Sequence, residues 1–382
     1  MQPLNGLATA EEQQRFVSQY WQSEHRYFKG ALTEFEDPIT ADELAGLACE
    51  PEIVSRIVSG PENTLELGPF SEQRLQEFEP KHSTLLVQGV ELFVPALVAL
   101  RDAFNFIPSW RFEDVMVSFA TPNGGVGPHF DQYDVFLVQG EGSRDWQVGQ
   151  NCDEHSEIDS SSGQRILSRF QQRASYTLNK GDVLYVPPGM AHWGVSRDNS
   201  ICYSIGFRAP SAKELASEWA HSLVAEQQRF QDPTTAYTAR SGQHITPAAI
   251  QQAKSLLFEL LSEPANIADA LGTFQSASPH FDEVLAPGWS DLENKLANGA
   301  LLSRCSGARS FYYCDETTTR VYFNGHAHGA SGAQIGWVEQ LCSAEKLDLG
   351  DIRSHCMHKD DRIEAEHKAL LLLALQHQVY EL

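Results

Sequence analysis

One stretch limits what this chain can fold into more than any other: Gly124-Gly125-Val126-Gly127-Pro128-His129-Phe130-Asp131, followed by the apolar run Val135-Phe136-Leu137-Val138. Three glycines and a proline mark a turn. In extended backbone, residues i and i+2 share a side, so His129 and Asp131 converge on one point. A second imidazole, His192, follows 63 residues after His129, at the end of Pro187-Pro188-Gly189-Met190-Ala191-His192. Two histidines and one carboxylate form a facial metal-binding set that suits a mononuclear Fe(II) and leaves three positions open. His-x-Asp alone arises often by chance, and the chain contains its own control in His280-Phe281-Asp282. No glycine turn precedes that second copy and no Pro-Pro-Gly-x-x-His follows it, so it reads as a loop coincidence.

The surroundings suit a β architecture. From Trp110 to Arg208, short β-rich runs (115–120, 135–138, 146–148, 174–178, 183–186, 201–207) alternate with Gly, Pro, Asn and Asp. That rhythm predicts a sandwich or barrel, and a two-sheet jelly roll places a metal in its mouth. Residues 150–163 read as a polar loop. Upstream, a helix is expected over Glu11 to Tyr20, another opening at the Thr40/Glu43 capping box, a strand at Ser83 to Val87 and a helix over 91–104. Downstream, Ser211/Glu214 caps a further helix, and Thr246-Pro247 opens one with a wide apolar stripe at Ile250, Ala253, Leu256, Leu257, Leu260 and Leu261. From residue 296 a helix-like opening, aromatic strands at Phe311 to Cys314 and Arg320 to Phe323, and helices at Ile335 to Leu341 and Ile363 to His377 suggest a small winged-helix module. The expected class is α+β, divided at 1–210, 211–295 and 296–382.

Composition excludes several functions. At 382 residues, with a formal net charge of −23, the chain lacks the cationic surplus of a sequence-independent nucleic-acid binder. Acidic residues outnumber basic ones from residue 300 onward, so no direct DNA binding is expected there. Seven scattered cysteines, with no Cys-x-x-Cys, fit a reducing cytoplasm. His355-Cys356-Met357-His358 lacks the remaining partners of a zinc site. The start, Met1 to Gly6, has no basic or apolar leader character, and no apolar run is long enough to span a membrane.

A metal with open positions can take a bidentate 2-oxo acid and dioxygen, and the acid's far carboxylate calls for an arginine. Arg144, 15 residues after His129 at the start of the next strand, is the candidate. In Asp114-Val115-Met116-Val117-Ser118-Phe119, alternation puts Asp114, Met116 and Ser118 on one face. A carboxylate and a thioether there suit a side chain both cationic and aliphatic, although a backbone amide satisfying Asp114 explains it equally well.

At these residues the chain resembles a known family. The run Gly124 to Gly140, the Gly181-Asp182-Val183-Leu184-Tyr185-Val186-Pro187-Pro188-Gly189 strand and Tyr203 to Pro210 are similar to the bacterial ribosomal oxygenases. So are Asp37-Pro38-Ile39, Asp42 to Ala48 and Gly68-Pro69-Phe70. These are JmjC-type, Fe(II)- and 2-oxoglutarate-dependent hydroxylases of an arginine in a large-subunit ribosomal protein. The resemblance implies a double-stranded β-helix (jelly-roll, cupin) domain with flanking helices, a helical dimerisation region and a winged-helix-like C-terminal domain. It implies His129, Asp131 and His192 as iron ligands, Arg144 and Ser118 at 2-oxoglutarate, and Asp114, Met116, Tyr133 and Ser204 around the substrate arginine. Met190, Ala191 and Trp193 beside the distal histidine, and Cys202, depart from the family pattern. The reading is a cytoplasmic, homodimeric protein hydroxylase using Fe(II), 2-oxoglutarate and dioxygen on a basic large-subunit ribosomal protein. Its rivals are a hydroxylase of a ribosomal histidine, a cupin enzyme of small molecules, which has no need of Arg144, and a non-catalytic ribosome- or DNA-binding module, which has no need of the triplet.

Overall fold

The computed structural model describes residues 4–78, 80–161, 163–208, 210–223, 229–232, 245–278, 280–356 and 364–382. It divides into two compact units, Met1–Ala209 and Pro210–Leu382. The first carries helices α1 (Ala10–Gln19), α2 (Ala41–Leu47), α3 (Glu72–Gln76) and α4 (Pro95–Asp102). Its strands are β1 (Arg26–Phe28), β2 (Ser55–Ser59), β3 (Thr64–Leu67), β4 (Ser83–Val87), β5 (Phe112–Ala120), β6 (Asp134–Gln139), β7 (Ser143–Asn151), β8 (Ile158–Asp159), β9 (Ile166–Leu167), β10 (Ala174–Asn179), β11 (Val183–Val186), β12 (Met190–Ser196) and β13 (Ser200–Phe207). One sheet has the order β1-β11-β6-β13-β5-β4-β2-β3 and a second β10-β7-β12, with antiparallel pairs throughout. This is the expected jelly roll.

The central strands are apolar without alternating because both faces are covered. Phe136 and Val138 of β6, with Val183 and Tyr185 of β11, join the core beneath the helices. Val135, Leu137, Leu184 and Val186 face the other way and pack with Trp146, Val148 and Leu178 between the sheets. Helix α1, closed by a Thr9/Glu12 capping box, lays Phe16 against Tyr185 at 4.9 Å and Phe136 at 5.6 Å. Beneath it the buried Asp134 accepts from Tyr185 Oη (2.5 Å), Arg111 and Gln22. That polar knot pins the start of β6, three residues beyond Asp131.

Several expectations need correction. The helix expected over 91–104 is broken: a 3-10 turn spans Val90–Leu92, and α4 starts at Pro95, whose ring forbids an α-helix running through from the preceding turn. The polar loop 150–163 holds half of a small hairpin, β8 against β9, seeded by Ile158 and Ile166. His192 lies on a strand of its own, β12, which the Pro-Pro-Gly turn obscured.

In the second unit, helices α5 (Ala212–Ser222), α6 (Pro247–Leu261) and α7 (Pro264–Ser276) precede α8 (Trp289–Ala297). The helix-like opening expected at 296 is therefore the end of α8. Strands β14 (Leu302–Arg304), β15 (Ser310–Cys314), β16 (Thr319–Phe323) and β17 (His326–Ala330) follow, then α9 (Ile335–Ser343), β18 (Lys346–Leu347), α10 (Leu349–Cys356), α11 (Ala365–Gln376) and β19 (Tyr380–Glu381). Asp269 of α7 pairs with Arg320 of β16, so the helices and the meander β15-β16-β17 pack as one body. The Ser211/Glu214 capping box and the Thr246 cap with Pro247 are present as expected. No residue of α6 is fully buried, and Ile250, Leu257, Phe258 and Leu261 are exposed. All seven cysteines are free, and among the described residues no helix is long and apolar enough to cross a membrane. Met1 to Pro3, Met357-His358 and Ile363 lie outside the described residues.

Candidate metal centre

His129 and Asp131 do not stand on a regular strand, as the i, i+2 argument assumed. Gly125, Gly127 and Pro128 interrupt the ladder, and the segment runs beside β12 as an irregular strand. Asn123 N–H bonds Ser196 O, Ser196 N–H bonds Gly124 O, and Gly189 N–H bonds Asp131 O at 2.7 Å. Between these, His129 and His192 exchange both backbone hydrogen bonds, at 3.1 and 2.8 Å. The glycines are needed for this approach: a Cβ on Gly125 would lie 2.4 Å from Gly194 O, and Gly127 has φ +78°.

The backbone clamp brings the three side chains together as the spacing predicted. Asp131 Oδ2 lies 3.8 Å from His129 Nε2 and 3.5 Å from His192 Nε2. Each imidazole has its Nδ1 at 3.0 Å from a carbonyl two residues back, Gly127 O or Met190 O. A carbonyl only accepts, so both Nδ1 atoms carry the proton and both Nε2 lone pairs face the carboxylate. Burial, with the His129 ring as a lesser cause and Asp131 opposing, holds His192 down at about 4. It is neutral at pH 7 and ready to ligate. This donor set fits a divalent iron-type cation. His280 and Asp282 belong to no such group among the described residues.

Arg144 is not the exposed residue that a strand start suggests. It is 6% exposed and points between the sheets, on the inner face of β7 with Trp146 and Val148. Ser118 Oγ and O and Ser200 Oγ and O accept four of its five N–H groups, at 2.8–3.1 Å. No carboxylate pairs with it among the described residues. Burial lowers its pKa and raises that of the adjacent Cys202 thiol, which stays neutral and supplies no counter-charge. A buried, braced guanidinium with a spare donor is a receptor for an anion. Ser118 serves as one of its braces.

Val148, two pleats along the same face, pairs with His192, so triplet and cation share one interior. Met116 of β5 sits opposite Ser204 of β13, and the Asp114 carboxylate reaches over Gly206. Tyr133 shows 36% of its surface. Its hydroxyl nonetheless points inward, where burial first and then the Asp131 and Asp114 carboxylates push its pKa well up. Arg56 of β2, which sequence reasoning missed, reaches Met116 Sδ at 3.6 Å and acts electrostatically on Tyr133. It sits in an ordinary-looking strand, Ser55-Arg56-Ile57-Val58-Ser59, with no turn or spacing to flag it.

A two-sheet jelly roll with a His, Asp, His triplet at its mouth defines the JmjC class of cupin folds, and the family model of the JmjC domain matches residues 99–215. The chain is 34% identical over 325 residues to the ribosomal protein uL16 3-hydroxylase of Escherichia coli, covering 81% of this chain and 83% of that one. It is 31% identical to a probable ribosomal oxygenase of Haemophilus influenzae, covering 85% and 82%. The solved structure of YcfD, a ribosomal oxygenase from Escherichia coli, in complex with cobalt and 2-oxoglutarate is similar with a TM-score of 0.79 and 29% identity, over 96% of this chain and 97% of that one. The chain belongs to the ribosomal oxygenase family.

Proposed function

We propose that this chain hydroxylates an arginine of a large-subunit ribosomal protein of the uL16 kind, with 2-oxoglutarate and dioxygen as cosubstrates and Fe(II) on His129, Asp131 and His192. The observation that carries the reading is Arg144, a buried cation with no counter-ion among the described residues that opens on the same interior as the triplet. A cupin enzyme that takes no 2-oxo acid gains nothing from such a costly group. The cobalt and 2-oxoglutarate complex of the similar YcfD supports the same cosubstrate here.

When bound, iron and 2-oxoglutarate supply activated dioxygen, so that one oxygen atom enters an unactivated C–H bond while the acid leaves as succinate and carbon dioxide. The protein's own task is ligation, orientation and dryness. The two Nδ1–H anchors fix the imidazoles, Arg144 receives the far carboxylate of 2-oxoglutarate, and Ser118 acts on it through Arg144. Asp114 holds the substrate guanidinium, while Met116, Tyr133 and Ser204 flank its aliphatic stem. The net charge of −23 steers a basic ribosomal protein towards the mouth. The exposed apolar face of α6 pairs with a second copy of the chain, and residues 296–382, with helices around an aromatic meander, form a winged-helix-like module. The chain acts in the cytoplasm, where its free cysteines stay reduced.

The test is mass spectrometry of ribosomal proteins from cells with and without the gene. One large-subunit protein should gain the mass of an oxygen atom on an arginine only when the gene is present. Identical masses in both strains would contradict the proposal.

A further inference from the structure

A second cluster of metal-binding side chains lies in the second unit. Glu283, His326 of β17 and His377, just after α11, each offer a ligand atom, and these atoms lie within 4.8 Å of one another. Glu283 Oε1 is 3.5 Å from His326 Nδ1 and 3.8 Å from His377 Nδ1. A tetrahedral zinc with bonds of about 2.0–2.1 Å needs ligand atoms about 3.3–3.4 Å apart, so the two Glu283 edges are open by only a few tenths of an ångström.

His377 supplies the independent sign of a missing partner. It is 3% exposed, and its Nδ1 bonds nothing. His328, which shares a face of β17 with His326, packs its ring 4.9 Å from that of His377 and also leaves a buried atom, Nε2, unbonded. Buried polar atoms are seldom left so, and the unbonded Nδ1 of His377 sits where Glu283 and His326 also offer ligand atoms. His326 stacks on His377 at 4.1 Å but lies at the surface, where its ring is free to tilt and aim its lone pair.

We infer that Glu283, His326 and His377 bind one divalent zinc ion. The chemistry selects a borderline cation: imidazole and carboxylate without thiolate suit zinc rather than calcium or magnesium. The ion would clip the segment before α8 to β17 and to the end of α11, three pieces distant in sequence.

Zinc content distinguishes this site from the jelly-roll triplet. The full chain carrying Asp131→Ala should hold about one zinc per chain after equilibration with limiting ZnCl2 and gel filtration, read by plasma mass spectrometry. Adding Glu283→Gln and His326→Asn, both at exposed positions, should remove it while circular dichroism stays unchanged. Adding His280→Ala instead should leave it in place. No zinc in the Asp131→Ala chain, or the same zinc after Glu283→Gln and His326→Asn, would overturn the inference. Loss on His280→Ala alone would overturn the ligand set.

Discussion

The two histidine–carboxylate clusters of this chain are alike in composition and opposite in preparation. In the jelly roll, His129 and His192 are clamped backbone to backbone, and each Nδ1 is tied to a carbonyl, so the lone pairs are aimed before any ion arrives. In the second unit, His377 is buried with a free Nδ1, and His326 rests on it as a stacked ring that has to move. Ligand identity alone therefore does not make a reaction centre. Preorganised lone pairs, open positions and a receptor for a cosubstrate do, and only the first cluster has Arg144 beside it.

That contrast can be broken most directly at the triplet. His129→Ala or Asp131→Ala should abolish conversion of 2-oxoglutarate to succinate coupled to a peptide substrate, with circular dichroism unchanged because backbone bonds hold the segment. His280→Ala, at the other His-x-Asp, should leave turnover as it was. Residual coupled turnover in His129→Ala would remove the difference between a clamped triplet and any chance cluster.

The next largest effect is expected at Asp114. If it pairs with a substrate guanidinium, Asp114→Ala leaves a desolvated cation alone and should cost ~3 kcal/mol, on the order of a hundredfold in kcat/KM for an arginyl peptide. Binding of iron and 2-oxoglutarate should be kept. Unchanged arginine turnover would move substrate recognition elsewhere, with Arg56 and Tyr133 the first places to look.

At Arg144 the comparison is sharpened. Arg144→Lys keeps the charge but cannot serve Ser118 and Ser200 while also gripping a carboxylate. The Michaelis constant for 2-oxoglutarate should rise by about ten- to a hundredfold, ~1–3 kcal/mol. An unchanged constant would assign the cosubstrate to another residue. The smallest effect concerns assembly: light scattering should give twice the chain mass, and Leu257→Asp with Phe258→Asp should halve it. A wild-type monomer at micromolar concentration would remove the dimer.

What the sequence made legible was local. The triplet could be read because two ligands sit two residues apart after a glycine turn and the third follows a Pro-Pro-Gly turn. Capping boxes at Thr40 and Ser211 were equally readable. The start of α4 was missed because the helix expected over 91–104 ran straight through Pro95. Arg144 was found by position, but its burial was not foreseen, since Ser118 and Ser200 reach it from other strands. Arg56 and the set Glu283, His326 and His377 were invisible for the same reason. Nothing in a linear pattern joins residues 283, 326 and 377; only packing of the second unit does.

The central claim is that this interior oxidises arginine. The most direct measurement is mass spectrometry of two peptides with the basic character of large-subunit ribosomal proteins, one offering arginine and one histidine, after incubation with the full chain, Fe(II), 2-oxoglutarate and air. The account predicts that the arginine gains one oxygen atom, that this requires 2-oxoglutarate, and that Asp131→Ala abolishes it. Oxidation of the histidine peptide instead, or of neither, would contradict it.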